Sequence, residues 1–291
     1  MSDNIVINDR VISHKEACYV IGEIGINHNG DIQIAKKLID AIYACSWDCA
    51  KFQKRNPDIA VPEDQKAVMR DTPWGRMKYI DYKYKVEFNK KEYDYIDQYC
   101  KEKPLAWAAS VWDLDSLEFY MNYNPPFIKI PSAMLTNSEL ITECSQTGLP
   151  MILSTGMSTL IEVDNAVDIL KNHASSFAIL HCNSSYPANE SELNLSIIPM
   201  YMERYECIVG YSGHEYSLEP TIIAVTLGAK IIERHITLDH RMWGTDQAAS
   251  IEIKAMDDLK KRIEKVKVVI GEPKKEISPS EIPIRKKLSG K

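Results

Sequence analysis

The sequence predicts a (β/α)8 (TIM) barrel with a short N-terminal β-hairpin, and three observations favour this fold. Short apolar runs alternate with longer amphipathic stretches along the chain, which is typical of strand–helix–strand units in a parallel sheet. The sequence contains eight such runs, the number of strands that closes a TIM barrel. Its 291 residues suffice for one barrel, which takes roughly 250 residues.

The predicted elements follow one another in a regular order. The hairpin lies within residues 1–16, because IVINDRVI alternates around an Asn-Asp pair. Amphipathic stretches such as IQIAKKLIDAIYA and the final KAMDDLKKRIEKVKVVIG predict the helices. The predicted barrel strands are YVIGEIG (19–25), CAKFQ (49–53), LAWAAS (105–110), FIKI (127–130), MILST (151–155), FAILHC (177–182), CIVGYS (207–212) and KIIERH (230–235).

A doubly wound open sheet is the alternative topology. The glycines of GEIGINHNG do not match the GxGxxG turn that such sheets use for dinucleotides. We therefore assign residues 1–271 to one barrel, and 272–291, rich in Pro, Ser and Lys, to a C-terminal extension with no second domain. Residues 54–88 are predicted to form a long charged loop that acts as a lid or binding arm.

Composition narrows the class of protein. The chain is 45% hydrophobic and 26% charged, which are ordinary globular values. Its net charge of −6, without a Lys/Arg-rich run, argues against a nucleic-acid partner. Seven scattered cysteines without CxxC spacing fit a reducing compartment. With no signal peptide and no membrane-length apolar run, we expect a cytoplasmic protein.

Polar side chains lie at or just beyond the end of each predicted strand. In a TIM barrel these ends meet at one face, which carries the active site. One polar residue there usually only satisfies a loop backbone, but a contribution from each strand predicts a functional site. The residues are Glu23, Lys51, Gln53, Ser110, Lys129, Ser132, Ser154, Thr155, His181, Ser184, Tyr186, Ser212, His214, Glu233 and His235.

These side chains divide into two chemical groups. Lys51 and Lys129, together with serine hydroxyls, suit a phosphate, whose oxygens accept charge-assisted hydrogen bonds. His214 and His235, from adjacent strands, suit a divalent ion such as Mn²⁺, Fe²⁺, Co²⁺ or Zn²⁺, with Glu23 across the barrel. Two histidines leave coordination positions open, which favours a Lewis acid over a structural ion.

The ordered motifs of the chain resemble the N-acetylneuraminate (sialic acid) synthase family. The resemblance runs from residue 17 to residue 260. The motifs that carry it are EIGINHNG (23–30), KFQ (51–53), IKIPS (128–132), LSTGM (153–157), HC…YP (181–187), GYSGH (210–214) and ERHITLD (233–239).

The resemblance implies a metal-dependent transferase of carbohydrate biosynthesis. It would condense phosphoenolpyruvate with an aldose to give a 3-deoxy-2-ulosonic, sialic-acid-like acid and phosphate. C3 of phosphoenolpyruvate would attack the aldehyde carbon, water would add at C2, and the C–O bond would break. The implied cofactor is Mn²⁺, with Mg²⁺ or Co²⁺ as alternatives, and we expect a homo-oligomer.

The resemblance also implies residue roles. The metal ligands would be His214 and His235, with Glu23 near the reacting centre; Gln53, Tyr186 and Asp246 would face the sugar. The catalytic set would be Glu23, Lys51, Lys129, His214 and His235. Phosphoenolpyruvate would contact Lys51, Ser110, Lys129, Ser132, Ser154, Ser184 and Ser212.

The chain departs from the family mainly on the sugar side. The family's C-terminal antifreeze-like domain, which recognises an acylamino group, is expected to be missing. Met134 replaces a glutamate, Gly213 an aspartate and Ser184 an asparagine, while the Pro-Gly-Pro-Asp loop reads Trp-Gly-Thr-Asp at 243–246. Both an N-acetylmannosamine-like aldose and an aldose without the acyl group therefore stay open.

Three other functions compete with a synthase. A Schiff-base aldolase would use Lys129 or Lys51 as its amine nucleophile and would be indifferent to chelators. A metal-dependent hydrolase would release phosphate or acyl groups without a sugar acceptor. A non-catalytic sugar-acid-binding barrel would bind ligand without turnover.

Overall fold

The computed structural model describes residues 4–174 and 176–289. Its strands are β1 (Asn4–Ile7), β2 (Arg10–Ser13), β3 (Tyr19–Gly25), β4 (Cys49–Lys54), β5 (Met69–Thr72), β6 (Gly75–Lys78), β7 (Ala106–Val111), β8 (Ile128–Ile130), β9 (Met151–Ser154), β10 (Phe177–Cys182), β11 (Ile208–Gly213), β12 (Ile231–Thr237) and β13 (Ile251–Glu252).

The α-helices alternate with the barrel strands, and single 3₁₀ turns lie at Ser132–Met134, Glu190–Glu192 and Gln247–Ala249. The helices are α1 (Ile32–Ala44), α2 (Pro57–Ala60), α3 (Glu63–Lys66), α4 (Tyr79–Val86), α5 (Lys90–Glu102), α6 (Leu114–Met121), α7 (Ser138–Ser145), α8 (Leu160–His173), α9 (Ile197–Tyr205), α10 (Glu219–Thr226), α11 (Ile253–Ile270) and α12 (Glu281–Ser289).

Within the described residues, eight parallel strands close into a barrel. Their order is β3, β4, β7, β8, β9, β10, β11 and β12, and β12 pairs back with β3. The register aligns His235 of β12 with Glu23 of β3, and Glu23 with Lys51 of β4. The predicted (β/α)8 barrel is confirmed, because each predicted apolar run overlaps one of these strands.

The strands read as near-continuous apolar runs because both of their faces are covered. All seven residues of β3 are buried, as expected for a parallel strand between a barrel interior and a helical layer. The surrounding helices bury one face each. Helix α1, for example, begins at the N-cap Asp31 and packs Leu38 and Ile42 against the barrel.

The predicted N-terminal hairpin is also confirmed. Asn8 and Asp9 connect β1 to β2 with positive φ angles of 46° and 63°, the conformation that a two-residue type I′ turn requires. Ile5 and Ile12 are buried in the main core. Arg10 contacts Asp48 and the carbonyl of Cys18, so the hairpin covers the barrel end opposite the strand carboxyl termini.

Residues 54–88, predicted to form a long loop, instead fold into an insertion between β4 and α5, here called the excursion. It contains the short helices α2 and α3, the antiparallel β5–β6 hairpin and helix α4. Aromatic contacts attach it to the barrel mouth: Trp243 lies 5.1 Å from Tyr82 and 6.3 Å from Trp74, measured between ring centroids. The predicted long loop thus contains regular secondary structure, because tertiary contacts stabilise these short elements; its role as a lid or binding arm stays a prediction.

The C-terminal segment behaves differently from the barrel. The side chains of residues 272–289 are exposed, including those of α12. The assignment of 272–291 to an extension, part of which lies outside the described residues, stays a prediction. Across the described part of the chain, no helix combines the length and apolarity needed to cross a membrane.

Candidate active site

A cavity of about 250 Å³ opens at the carboxyl ends of the barrel strands. All the residues that the resemblance gives a catalytic, substrate-binding or metal-binding role line it except Asp246, whose carboxylate lies 3.8 Å from Nδ1 of His235. The lining residues are Glu23, Lys51, Gln53, Ser110, Trp112, Lys129, Pro131, Ser132, Ala133, Ser154, Met157, Cys182, Ser184, Tyr186, Ser212, His214, Glu233 and His235.

Lys51 lies between two buried carboxylates. Its Nζ is 2.7 Å from Oε2 of Glu23 and 3.5 Å from Oε1 of Glu233. Burial opposes the charged ammonium, yet these two carboxylates raise the pKa of Lys51. Lys51 is therefore a fixed positive charge at the floor of the cavity.

Lys129, on strand β8 of the cavity wall, is a second buried basic residue. It donates a hydrogen bond to Oγ of Ser154 at 2.6 Å, and its Nζ is 3.9 Å from Glu233. Burial lowers its pKa. Ser132 lies beside this wall and accepts a hydrogen bond from the backbone N–H of Gly156 at 3.0 Å. Two ammonium groups, serine hydroxyls and this backbone turn form a surface suited to phosphate oxygens.

Glu23 and Gln53 form the other side of the cavity. Gln53 donates a hydrogen bond from Nε2 to Glu23 at 3.0 Å and accepts one from Arg55 at 2.7 Å. Burial raises the pKa of Glu23 to about 7, against the attraction of Lys51. A carboxyl group with this pKa can either donate or accept a proton near neutral pH.

His214 and His235 lie side by side, with ring centroids 5.3 Å apart. Nδ1 of His214 lies 2.6 Å from the carbonyl of Asn183; if it donates there, Nε2 keeps the lone pair. The hydroxyl of Tyr186 lies 3.0 Å from that Nε2. Burial lowers the pKa of His235 to about 3, so this imidazole is neutral at physiological pH.

The histidine pair fits a divalent ion that also takes ligands from water or substrate. Nδ1 of His235 is buried and has no hydrogen-bond partner among the described residues, and a second imidazole lies beside it. Among the residues that the structure describes, no cluster of three or more His, Cys, Asp or Glu side chains forms a closed metal cage. Two imidazoles would leave coordination positions of a bound ion open to water or substrate.

Two residues from the predicted strand ends lie outside this cavity. His181 places Nε2 2.5 Å from the carbonyl of Leu193 and lines a neighbouring cavity. Thr155 donates its hydroxyl to the carbonyl of Leu180 at 3.1 Å. Both side chains satisfy local backbone groups.

Sequence reasoning gave no role to six of the lining residues, among them Glu233, Trp112 and Cys182. Glu233 contacts both lysines, and these neighbours lower its pKa although burial opposes the shift. Its position two residues before His235 was a usable signal, because alternate residues of a strand share a face. Trp112 and Cys182 also line the cavity, and no spacing in the sequence pointed to them.

Fold and site together define a TIM-barrel protein whose C-terminal face carries a buried cavity lined by two lysines, serine hydroxyls and a histidine pair. The chain belongs to the NeuB family, whose model matches residues 38–275. It is 34% identical to N-acetylneuraminate-9-phosphate synthase of Mus musculus, over 96% of this chain and 78% of that protein.

Two further relatives come from bacteria. N,N'-diacetyllegionaminic acid synthase of Legionella pneumophila is 32% identical, over 92% of this chain and 77% of its own length. The crystal structure of an N-acetylneuraminic acid (sialic acid) synthetase from Leptospira borgpetersenii, in complex with citrate, superposes with a TM-score of 0.87. It is 31% identical, and the match covers 100% of this chain and 99% of that one.

Proposed function

We propose that this protein condenses phosphoenolpyruvate with a sugar aldehyde to form a 3-deoxy-2-ulosonic acid and phosphate. The observation that carries the proposal is the division of one buried cavity. Lys51, Lys129 and serine hydroxyls line one part, and His214 and His235 line the other. Glu23 lies between the two parts, on the strand that pairs with those of Lys51 and His235. Relatives named as synthases of sialic and legionaminic acids support ulosonic acid synthesis in general.

Phosphoenolpyruvate would bind at the lysine side. Its phosphate and carboxylate would take charge-assisted hydrogen bonds from Lys51 and Lys129 and further bonds from the hydroxyls. The hydroxyls are those of Ser110, Ser132, Ser154, Ser184 and Ser212. Because both lysines are almost fully buried, solvent would screen these contacts little.

The aldose would bind at the histidine side. His214 and His235 would hold the divalent ion, Mn²⁺ by our proposal, which when bound stabilises the negative charge that develops on the aldehyde oxygen. Tyr186, Gln53 and Asp246 would orient the sugar, so that its aldehyde carbon faces C3 of phosphoenolpyruvate.

Glu23 is suited to the proton transfers of this reaction. In its protonated form it can donate to the oxygen of the former aldehyde as the C–C bond forms. In its ionised form it can accept a proton from the water that adds at C2. Breaking the C2–O bond then releases phosphate, so that phosphoenolpyruvate, aldose and water give one ulosonic acid and one phosphate.

The proposal also includes the cellular location and the assembly of the protein. All cysteines lie in the described part of the chain and are free thiols, which supports the reducing cytoplasm as its location. A homo-oligomeric assembly remains part of the proposal, and the sedimentation coefficient of the purified protein tests it.

The direct test measures phosphate release with phosphoenolpyruvate, Mn²⁺ and a panel of aldoses. We expect release only when both substrates are present, with loss on adding EDTA and recovery on adding Mn²⁺. Trapping of a pyruvate adduct by borohydride on Lys129 or Lys51 would instead support the Schiff-base aldolase. Phosphate release without an aldose would support the hydrolase, and binding without turnover would support the non-catalytic barrel.

A further inference from the structure

Strand β12 carries a fully buried arginine between two residues of the candidate active site. Arg234 lies between Glu233 and His235, and its relative exposure is 0%. Alternate residues of a strand face opposite sides; Glu233 and His235 line the cavity, so Arg234 points away from it, toward the surrounding helices. Because a buried guanidinium is costly unless it is paired, its partners indicate what this residue does.

The side chain of Arg234 binds the segment that follows strand β11. Its Nη1 donates to Oε1 of Glu215 at 2.7 Å, to Oγ1 of Thr221 at 2.7 Å and to the carbonyl of Ser217 at 3.2 Å. Its Nη2 donates to the carbonyl of Glu215 at 2.5 Å. The carboxylate of Glu215, which is also fully buried, accepts a further hydrogen bond from the hydroxyl of Tyr211 at 2.7 Å. One side chain therefore connects β12 to this whole segment.

The segment begins directly beside His214. The parallel pairing of β11 with β12 ends at Gly213 and Arg234, so His214 lies just beyond the last paired residues. On the side of β10, Nδ1 of His214 contacts the carbonyl of Asn183. On the side of β12, the bonds from Arg234 to Glu215 continue the connection between the two strands where their backbone pairing stops.

The glycine at the end of β11 leaves room for the carboxylate of Glu215. A Cβ atom on Gly213 would lie 2.8 Å from both carboxylate oxygens of Glu215 and 2.7 Å from the ring of Tyr211. These distances are shorter than van der Waals contact, so a side chain at this position would displace the carboxylate that Arg234 binds. The absence of a side chain here therefore allows the ion pair to form.

We infer that Arg234 is a positioning residue of the metal site, which holds His214 at the distance from His235 that lets one divalent ion bind both imidazoles. Arg234 itself faces away from the cavity and would touch neither the substrates nor the ion. Replacing residues that hold metal ligands in place from outside the coordination sphere changes metal affinity about 10- to 100-fold. The inference rests on the proposed function, because it assumes that the histidine pair binds a divalent ion.

An alternative role for the ion pair is to stabilise the fold alone. Removing one partner of a buried pair leaves an uncompensated charge and strongly destabilises a protein, whereas replacing both charged groups is often tolerated. A variant of Arg234 alone can therefore lose Mn²⁺ simply because it unfolds. The double variant Arg234→Met, Glu215→Gln removes both charges, and the amide oxygen of its glutamine can still accept the hydrogen bond from Tyr211.

The test determines Mn²⁺ affinity from the electron paramagnetic resonance of free Mn²⁺, at a temperature at which each variant is folded and without substrates. We expect the double variant Arg234→Met, Glu215→Gln to bind Mn²⁺ about 10- to 100-fold more weakly than the wild type. Arg234→Lys keeps a cation beside Glu215 but loses the planar guanidinium fork that reaches several acceptors. Its Mn²⁺ affinity should lie between those of the wild type and the double variant.

Arg10→Met is the matched control. Arg10 also forms an ion pair, with Asp48, and donates to the carbonyl of Cys18, but it lies at the opposite end of the barrel. Its removal should lower the unfolding temperature and leave the Mn²⁺ affinity unchanged. If Arg234 serves stability alone, its variants should behave in the same way, with a lower unfolding temperature and the Mn²⁺ affinity of the wild type.

Failure of the inference and failure of the proposed function give different results. Wild-type Mn²⁺ affinity in the folded Arg234 variants overturns the positioning role and leaves the synthase proposal standing. Absence of phosphate release with every aldose contradicts the synthase proposal, yet weakened Mn²⁺ binding in the double variant would still support the positioning role. If the wild type itself binds no Mn²⁺, both the metal site and the positioning role are overturned.

Discussion

At the scale of single residues, the site contains buried charged side chains that neutralise one another. Lys51 compensates Glu23 and Glu233, and all three side chains are nearly inaccessible to solvent. Removing one partner of such a set leaves uncompensated charge in a low-dielectric interior, which costs far more than loss of a surface ion pair. The residues proposed for catalysis are therefore also residues on which stability depends.

Lys51→Met should lower the free energy of unfolding by about 3–5 kcal/mol at pH 7, measured by urea denaturation. The control is Lys90→Met, which breaks the exposed pair with Asp94 on helix α5 and should cost no more than about 0.5 kcal/mol. Equal losses in the two variants would show that the buried network contributes no special stabilisation.

The histidine pair can be tested without measuring turnover. His235→Ala should weaken Mn²⁺ binding by more than about 100-fold. Electron paramagnetic resonance measures the free Mn²⁺ in this titration. The far-ultraviolet circular dichroism spectrum of the variant should match that of the wild type. His173→Ala, at an exposed histidine of helix α8, should bind Mn²⁺ as the wild type does. Undiminished binding in His235→Ala would remove this residue from the proposed metal site.

At the scale of elements, the barrel strands were predictable because their physical signal is local. A parallel strand covered on both faces is a short apolar run, and polar residues at its end stand out. His235 and Glu233 lie on one face of β12, as the two-residue period of a strand requires. The sequence thus predicted which strands carry polar side chains, but distances such as that between Lys51 and Glu233 depend on barrel closure.

The excursion at 54–88 could not be predicted in the same way. Helices α2 and α3 have four residues each, and β5 and β6 have mostly exposed side chains, so neither shows an apolar period. Their stability depends on partners distant in sequence, such as Trp243.

Trp243→Ala should loosen this excursion. Removing the contacts with Tyr82 and Trp74 should increase amide hydrogen exchange in β5, β6 and α4 by roughly 3- to 10-fold, the effect of losing an aromatic pair. Tyr43→Ala, at a half-exposed aromatic of helix α1, is the control and should leave that exchange unchanged. Unaltered exchange in Trp243→Ala would mean that other contacts hold the excursion.

At the scale of the whole molecule, closure of the barrel joins groups that are far apart in sequence. Pairing of β12 with β3 brings His235 beside Glu23, and pairing of β3 with β4 brings Glu23 beside Lys51. One rigid scaffold can thereby orient two substrates against each other, which supplies much of the rate enhancement in a condensation. The central claim is that this cavity joins phosphoenolpyruvate to an aldose.

The most direct test of that claim uses phosphoenolpyruvate labelled with ¹⁸O in the oxygen that bridges C2 and phosphorus. Phosphate released in the presence of Mn²⁺ and an aldose is analysed by mass spectrometry. Cleavage of the C–O bond predicts that the phosphate retains the label and that none is released without the aldose. Unlabelled phosphate, or labelled phosphate released without the aldose, would contradict the proposed condensation.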